Sequence, residues 1–274
     1  MQTLDSNQSL AVAPPAGVPL AGGVPEPISR VSVLGVEIVD LSLAEAIHLL
    51  QHMLAAPVQH TQTLYFVNAH TLNLAYENDA YRETLNTATC VFGDGTGVRW
   101  GARLKGVRLK ANLNGTDVMP ALMAATDTVG YRYFLLGARP STVTGAAQAC
   151  LRHYPGWQLV GCHHGFSDEQ ETAALIERIN RARPHMLLVG MGNPLQEQWI
   201  HRYRDQLDVR LCAGVGGLFN YLSGDVDRAP GWLRRLGHEW VHVLWRHKYK
   251  WRRYLVGNPK FLFRIVRRRS DDRF

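Results

Sequence analysis

The sequence predicts an α/β fold: a parallel sheet with helices on both faces and a basic helical appendage at the C-terminus. Three observations carry that expectation. Short apolar runs such as "TLYFVN", "TCVF", "YRYFLLG" and "HMLLVGMG" lack polar alternation, as strands buried on both sides do. Longer segments with helix start and stop signals lie between them. The two kinds alternate over most of the chain, the pattern of a Rossmann-like layered sheet.

Taken in order, residues 1–29 are rich in Pro, Gly and Ala without periodicity, so a disordered N-terminal tail is expected. Order is expected from "VSVLGVEIVD". Ser42 and Glu45 have capping-box spacing and predict a helix over "SLAEAIHLLQHML". "TLYFVN" is a strand. "DAYRETLNTA" is a helix capped by Asp79. "TCVF" is a strand, and "GDGTGVRWGARLKG" a glycine turn feeding a helix. "TDVMPALMAATDTVG" is a helix with Pro120 in its first turn and Gly130 past its end. Strand "YRYFLLG", helix "STVTGAAQACLRHY" and strand "WQLVG" follow. The next helix, "SDEQETAALIERINRA", carries a second capping box, Ser167 with Gln170. Strand "HMLLVGMG", helix "PLQEQWIHRYRDQL" and strand "VRLCAGVGG" complete a core over residues 30–229. Residues 230–274 read as helical, with Trp232, Trp240, Trp245 and Trp251 among Arg and Lys.

Charge is uneven. The net charge is +7, and from Asp227 onward fourteen Lys and Arg face four Asp and Glu. A basic end calls for an anionic partner. "WRRYLVGNPKFLFRIVRRR" places Phe261, Leu262, Ile265 and Val266 on one helical face and Arg264, Arg267 and Arg268 toward the other, suited to a membrane interface or a diphosphate. A helix docked on the core with solvated arginines is the plainer alternative. Nucleic acid is not expected, for want of a supporting motif. No apolar run reaches the roughly 18 residues of a membrane span, and "MQTLDSNQSL" lacks the positive lead of a secretory signal. Cys90, Cys150, Cys162 and Cys212 form no CxxC pair and read as reduced thiols of a cytosolic protein.

Ligands of open α/β sheets bind at the C-terminal strand ends. Those ends offer Asn68 and His70, Asp94, Gly137 and Arg139, His163 and His164, Gly192, Asn193 and Gln196, and Gly214 to Asn220. Glycines allow close backbone approach and helix N-termini supply N–H groups, so a phosphate-bearing nucleotide ligand suits this set. "VFGDGTGVRW" sets Asp94 between two glycines; it is either a turn former or a general base within reach of a substrate hydroxyl. "GTGVRW" has Trp100 where a dinucleotide site needs its third glycine, which disfavours an NAD-dependent oxidoreductase, and there is no P-loop lysine. The adjacent His163 and His164 lack a third ligand. Asp225 and Asp227 form a "DVD" that could grip a cation against a diphosphate, though a solvated turn is the simpler reading.

In sum, "NTATCVFGDGTGVRWGARLKG", "NGTDVMPAL", "YRYFLLGARP", "YPGWQLVGCHHGF", "ARPHMLLVGMGNPLQEQWI", "GVGGLFNYLSGDVDRAPGWLRRLGHEW" and "WRRYLVGNPKFLF" resemble, in the same order, the WecG/TagA/CpsF glycosyltransferases over about residues 31–266. The resemblance implies an inverting transferase with no metal and no cofactor. Its donor would be a UDP-sugar and its acceptor a saccharide on undecaprenyl diphosphate, met at the inner face of the cytoplasmic membrane during exopolysaccharide or cell-surface polysaccharide synthesis. It implies Asp94 as base, Asn68 and Gln196 as substrate-binding residues, and Arg246, Arg252 and Arg253 as contacts to the membrane and acceptor diphosphate. Asn112 and Asn220 stand where the family commonly has arginine and aspartate, and Phe66 and His242-Val243 also depart from its pattern. Together with Gly137, Asn112 and Asn220 complete the expected substrate-binding set. A non-catalytic UDP-sugar sensor or scaffold at the membrane is the alternative. A homo-oligomer is left open.

Overall fold

The computed structural model describes residues 28–166, 168–227 and 255–271. The expected N-terminal tail up to residue 27 lies outside the described residues, as does the stretch 228–254 with Arg246, Arg252 and Arg253.

Order begins with an antiparallel hairpin, β1 (Arg30–Val33) and β2 (Val36–Val39). Its two-residue turn places Leu34 at φ 51° and Gly35 at φ 85°, the left-handed geometry that two-residue hairpins require. Leu34 accepts this unfavourable backbone because its side chain is fully buried.

The main sheet has six parallel strands in the order β4-β3-β8-β7-β5-β6. These are β3 (Gln62–Val67), β4 (Cys90–Gly93), β5 (Arg132–Gly137), β6 (Gln158–His163), β7 (Met186–Gly190) and β8 (Leu211–Gly214). Alternate residues feed two separate cores. Leu64, Phe66, Phe92, Tyr133, Leu135 and Leu188 pack with α1 (Leu43–Ala55), α5 (Gly115–Ala125) and α6 (Pro140–His153). Tyr65, Val67, Val91, Phe134, Leu187 and Val189 face the other way. They meet α2 (Ala69–Glu77), α3 (Asp79–Asn86), α4 (Thr96–Leu104), α7 (Glu169–Ala182) and α8 (Leu195–Tyr203). Burial on both faces is why these strands carry continuous apolar runs. A short helix, α9 (Leu218–Leu222), follows β8, and α10 (Gly257–Asp271) is the last described element.

Each expected core strand is present, and the Ser42–Glu45 capping box forms as expected. Several helix starts differ. Asn78, not Asp79, caps α3 through a bond from the Tyr81 N–H, while Asp79 pairs with Arg82. The capping box of α7 is Asp168 with Glu171 rather than Ser167 with Gln170. Asp accepts the N3 amide as readily as Ser, so the acidic cluster allowed two registers. Asn114 caps α5, which starts at Gly115, one residue before the expected Thr116, and Pro120 falls inside that helix. Helix α2, directly after β3, was not foreseen; Asn68 caps it.

Helix α10 docks on the second core. Phe261 and Ile265 are fully buried. They press into a notch at Gly101 of α4, where a Cβ would stand 2.7 Å from Ile265 Cδ1 and 3.2 Å from Phe261 Cζ. Arg264 is not on a solvated face. Its guanidinium donates to Asn73 Oδ1 at 2.9 Å and to Glu77 Oε1 at 2.6 Å, and lies over the Tyr76 ring at 4.5 Å. Lys260 also donates to Glu77 Oε1, and Asn73 Nδ2 to the Gly257 carbonyl. Phe263 and Val266 point outward and are exposed. Helical spacing explains the change: Phe261 and Ile265 are one turn apart, and Arg264 and Lys260, also one turn apart, flank that stripe.

Candidate active site

Because the six strands are parallel, all their C-terminal ends open on one rim. The sequence-predicted residues therefore share an edge, in two groups.

The first group stands at β3 and β4. Val67 pairs with Gly93, so Asn68 and Asp94 leave the sheet side by side. The Asp94 N–H donates to the Val67 carbonyl at 2.8 Å. Gly95 follows at φ 92° and opens α4, a conformation only glycine adopts without strain. Asn112 closes over this turn: its Oδ1 accepts from the Gly95 N–H at 2.5 Å, and the Leu113 N–H donates to the Gly93 carbonyl. Asn68 Oδ1 accepts from the N–H groups of His70 and Thr71 and from the Thr71 hydroxyl. That oxygen is committed to the cap, so a ligand would meet the Asn68 Nδ2 donors. Asn114 Oδ1 accepts from the Asp117 N–H, with Gly115 packed on the Phe66 ring. The N-termini of α2, α4 and α5 thus converge beside Asp94, an arrangement suited to an anionic ligand.

The second group stands at β5, β7 and β8. Gly137 has φ 127°, and a Cβ there would come within 2.6 Å of the Gly190 backbone. Ala138 N–H donates to the Gly190 carbonyl, and the Gly165 N–H to Ala138. Gln196 is buried at 1 % exposure. Its Oε1 accepts from both Gly192 N–H, at 3.1 Å, and Gly216 N–H, at 2.9 Å, so one side chain ties the turns after β7 and β8. Its Nε2 donates to Glu197 Oε1 at 2.7 Å. Asn220 sits in α9, where its carbonyl accepts from Val226 N–H and Ser223 Oγ.

Sequence reasoning missed Glu197. It is fully buried, and accepts from Asn193 Nδ2 at 2.6 Å on Oε1 and from the Tyr81 hydroxyl at 2.9 Å on Oε2. Desolvation pushes its pKa above the usual range, against the pull of these donors. Burial likewise raises the Tyr81 and Tyr65 hydroxyls. The signal was available: Glu197 falls three residues before buried Ile200, on the inward stripe of α8.

Other candidates resolve plainly. Asp225 accepts from the Thr142 hydroxyl at 2.6 Å, tying the segment after α9 to the start of α6. Among the described residues no three His, Cys, Asp or Glu cluster as metal ligands. His163 Nδ1 bonds the His164 carbonyl, and the two rings lie 4.3 Å apart. The four cysteines are free, Cys162 half-buried and the others buried. A polar cleft of about 340 Å³ between Val58–Thr61 and Arg204–Asp208 lies by the opposite, N-terminal strand ends, away from the glycine turns. No described helix is long and apolar enough to cross a membrane.

The WecG/TagA/CpsF glycosyl transferase family model matches residues 31–273. The chain belongs to this glycosyltransferase family. It is 30% identical over 205 residues to an N-acetylglucosaminyldiphosphoundecaprenol N-acetyl-beta-D-mannosaminyltransferase of Bacillus subtilis (strain 168), covering 75% of this chain and 79% of the relative. It is 30% identical over 244 residues to an enzyme of the same name from Staphylococcus aureus (strain NCTC 8325 / PS 47), covering 87% and 93%. The rim therefore belongs to a glycosyltransferase, and a parallel sheet flanked by helices carries it.

Proposed function

We propose that the protein is an inverting glycosyltransferase that moves a sugar from a UDP-sugar to a saccharide on a polyprenyl diphosphate, in building a cell-surface or exopolysaccharide. The names of the relatives support a lipid-linked acceptor. The observation that carries the reading is the setting of Asp94: a carboxylate at the end of β4, beside Asn68, where three helix N-termini meet.

The donor diphosphate lies along the rim, toward helix N-termini and the glycine turns. Asp94 accepts the proton of the acceptor hydroxyl as its oxygen attacks the anomeric carbon. The new C–O bond forms opposite the breaking bond to the β-phosphate, UDP leaves with the electron pair, and the configuration inverts. Backbone N–H groups and the Asn68 and Asn112 amides stabilise the departing charge. Gln196 acts behind the turns and Asn220 beside them; Arg246, Arg252 and Arg253 reach the acceptor diphosphate. The outward Phe263 and Val266 of α10, with Leu255 and Val256 before it, suit contact with the inner membrane surface.

Transfer of a labelled sugar from UDP-sugars to a short-chain lipid-diphosphate acceptor tests the reading. Turnover with inversion is the expected result. UDP binding without turnover of any donor would favour a sensor.

A further inference from the structure

Glu197 is a buried carboxyl whose side-chain hydrogen-bond partners among the described residues are all neutral. Asn193 and Gln196 share its Oε1, Tyr81 occupies its Oε2, and its own carbonyl accepts from the Tyr65 hydroxyl at 3.3 Å. Burying a carboxyl is costly unless its oxygens are paired, and here both are. What it holds is specific. Asn193 is in the turn after β7. Gln196 is the side chain that bonds both Gly192 N–H and Gly216 N–H. With Nε2 anchored on Glu197, the Gln196 amide cannot flip, and Oε1 must face the two turns. Gly192 and Gly216 have φ of 81° and 55° and carry no side chain of their own to brace them.

We propose that Glu197 is a positioning residue: through Gln196 and Asn193 its carboxylate fixes the two glycine turns that receive the donor diphosphate. This rests on the donor reading above. With both glycine N–H groups held by Gln196, the turns keep their shape and need not reorganise as charge develops on the leaving group. The carboxylate touches no substrate; it acts through the amides.

The test is amide hydrogen exchange on the full-length protein, with UDP affinity measured on the same samples. In Glu197→Ala, exchange at Gly192 and Gly216 should rise about tenfold relative to the core amide of Leu188, as a local opening does. UDP should bind about tenfold more weakly, the scale of one lost buried polar partner. Glu197→Gln should restore both, since its Oε1 can accept from Asn193 and Gln196 while its amide donates to the Tyr81 oxygen. Should Glu197→Ala not fold, Asn193→Ala removes one donor on the loop side and should give a smaller rise at the same glycines. A uniform loss of protection without excess at Gly192 and Gly216 would show a merely structural role and overturn the proposal. Faster exchange at both glycines with unchanged UDP affinity would overturn it too. Failure of the wild-type protein to bind UDP would instead strike the donor reading.

Discussion

The two halves of the rim are built on opposite principles. At β3 and β4 the side chains that leave the sheet, Asn68 and Asp94, are half-buried, and single caps and one asparagine hold the turn. At β7 and β8 the polar groups are buried, and a chain of bonds through Gln196 and Glu197 ties turn to turn. A reacting group must be reachable, and a phosphate cradle must keep its shape. On the proposed reading, chemistry and positioning are divided between neighbouring strand ends of one sheet.

The sharpest way to break the comparison is at Asp94. Asp94→Asn keeps the Val67 bond, which uses the backbone N–H. Transfer should fall by about 10²–10⁴-fold, the worth of a general base, with UDP affinity unchanged by calorimetry. Full activity would remove the base from the open half. The Glu197 series probes the locked half, at about a tenth of that effect or less.

Next comes the support behind the open half. Gly101→Leu would drive a side chain into Phe261 and Ile265. Overpacking of this kind costs about 1–3 kcal/mol, and denaturant unfolding should show it, with faster exchange in α10. An unchanged midpoint would mean that α10 does not brace α4.

A finer probe is pH. Hydrogen bonds from Lys260 and Arg264 hold Glu77 below its ordinary value of 4.5. A carboxyl with a lowered folded-state pKa contributes stability that is fully present above the unfolded value and is lost as pH falls through the folded one. Protection of α10 should therefore be level from neutral pH to about 4.5 and decline below it, a decline that Glu77→Gln removes. Glu77 is half-exposed, so the effect is small.

The smallest effect is expected at Asp225. Its carboxylate is held by Thr142, so Asp225→Asn should change turnover by no more than about twofold, as for most surface changes. Chelators should leave the rate of both forms alone. A reversible loss of activity on chelation would return the "DVD" pair to the site.

Apolar runs and glycine turns mark where strands end, and parallel strands put those ends together, so Asn68, Asp94, Gly137 and Gln196 were legible as rim residues. Their roles were not. Whether Gln196 meets a ligand or ties two turns depends on Gly216, twenty residues on. Nor could spacing choose between Asp168 and Ser167 as a cap, or turn Arg264 inward toward Glu77.

The chain by itself determined the core strands and most of the helices, since hydrophobic period and glycine placement act over a few residues. Only the tertiary structure decided the strand order, the docking of α10, and the pairing of Glu197 with Tyr81. These depend on groups far apart in the chain, whose polar atoms must find one another once water has been excluded.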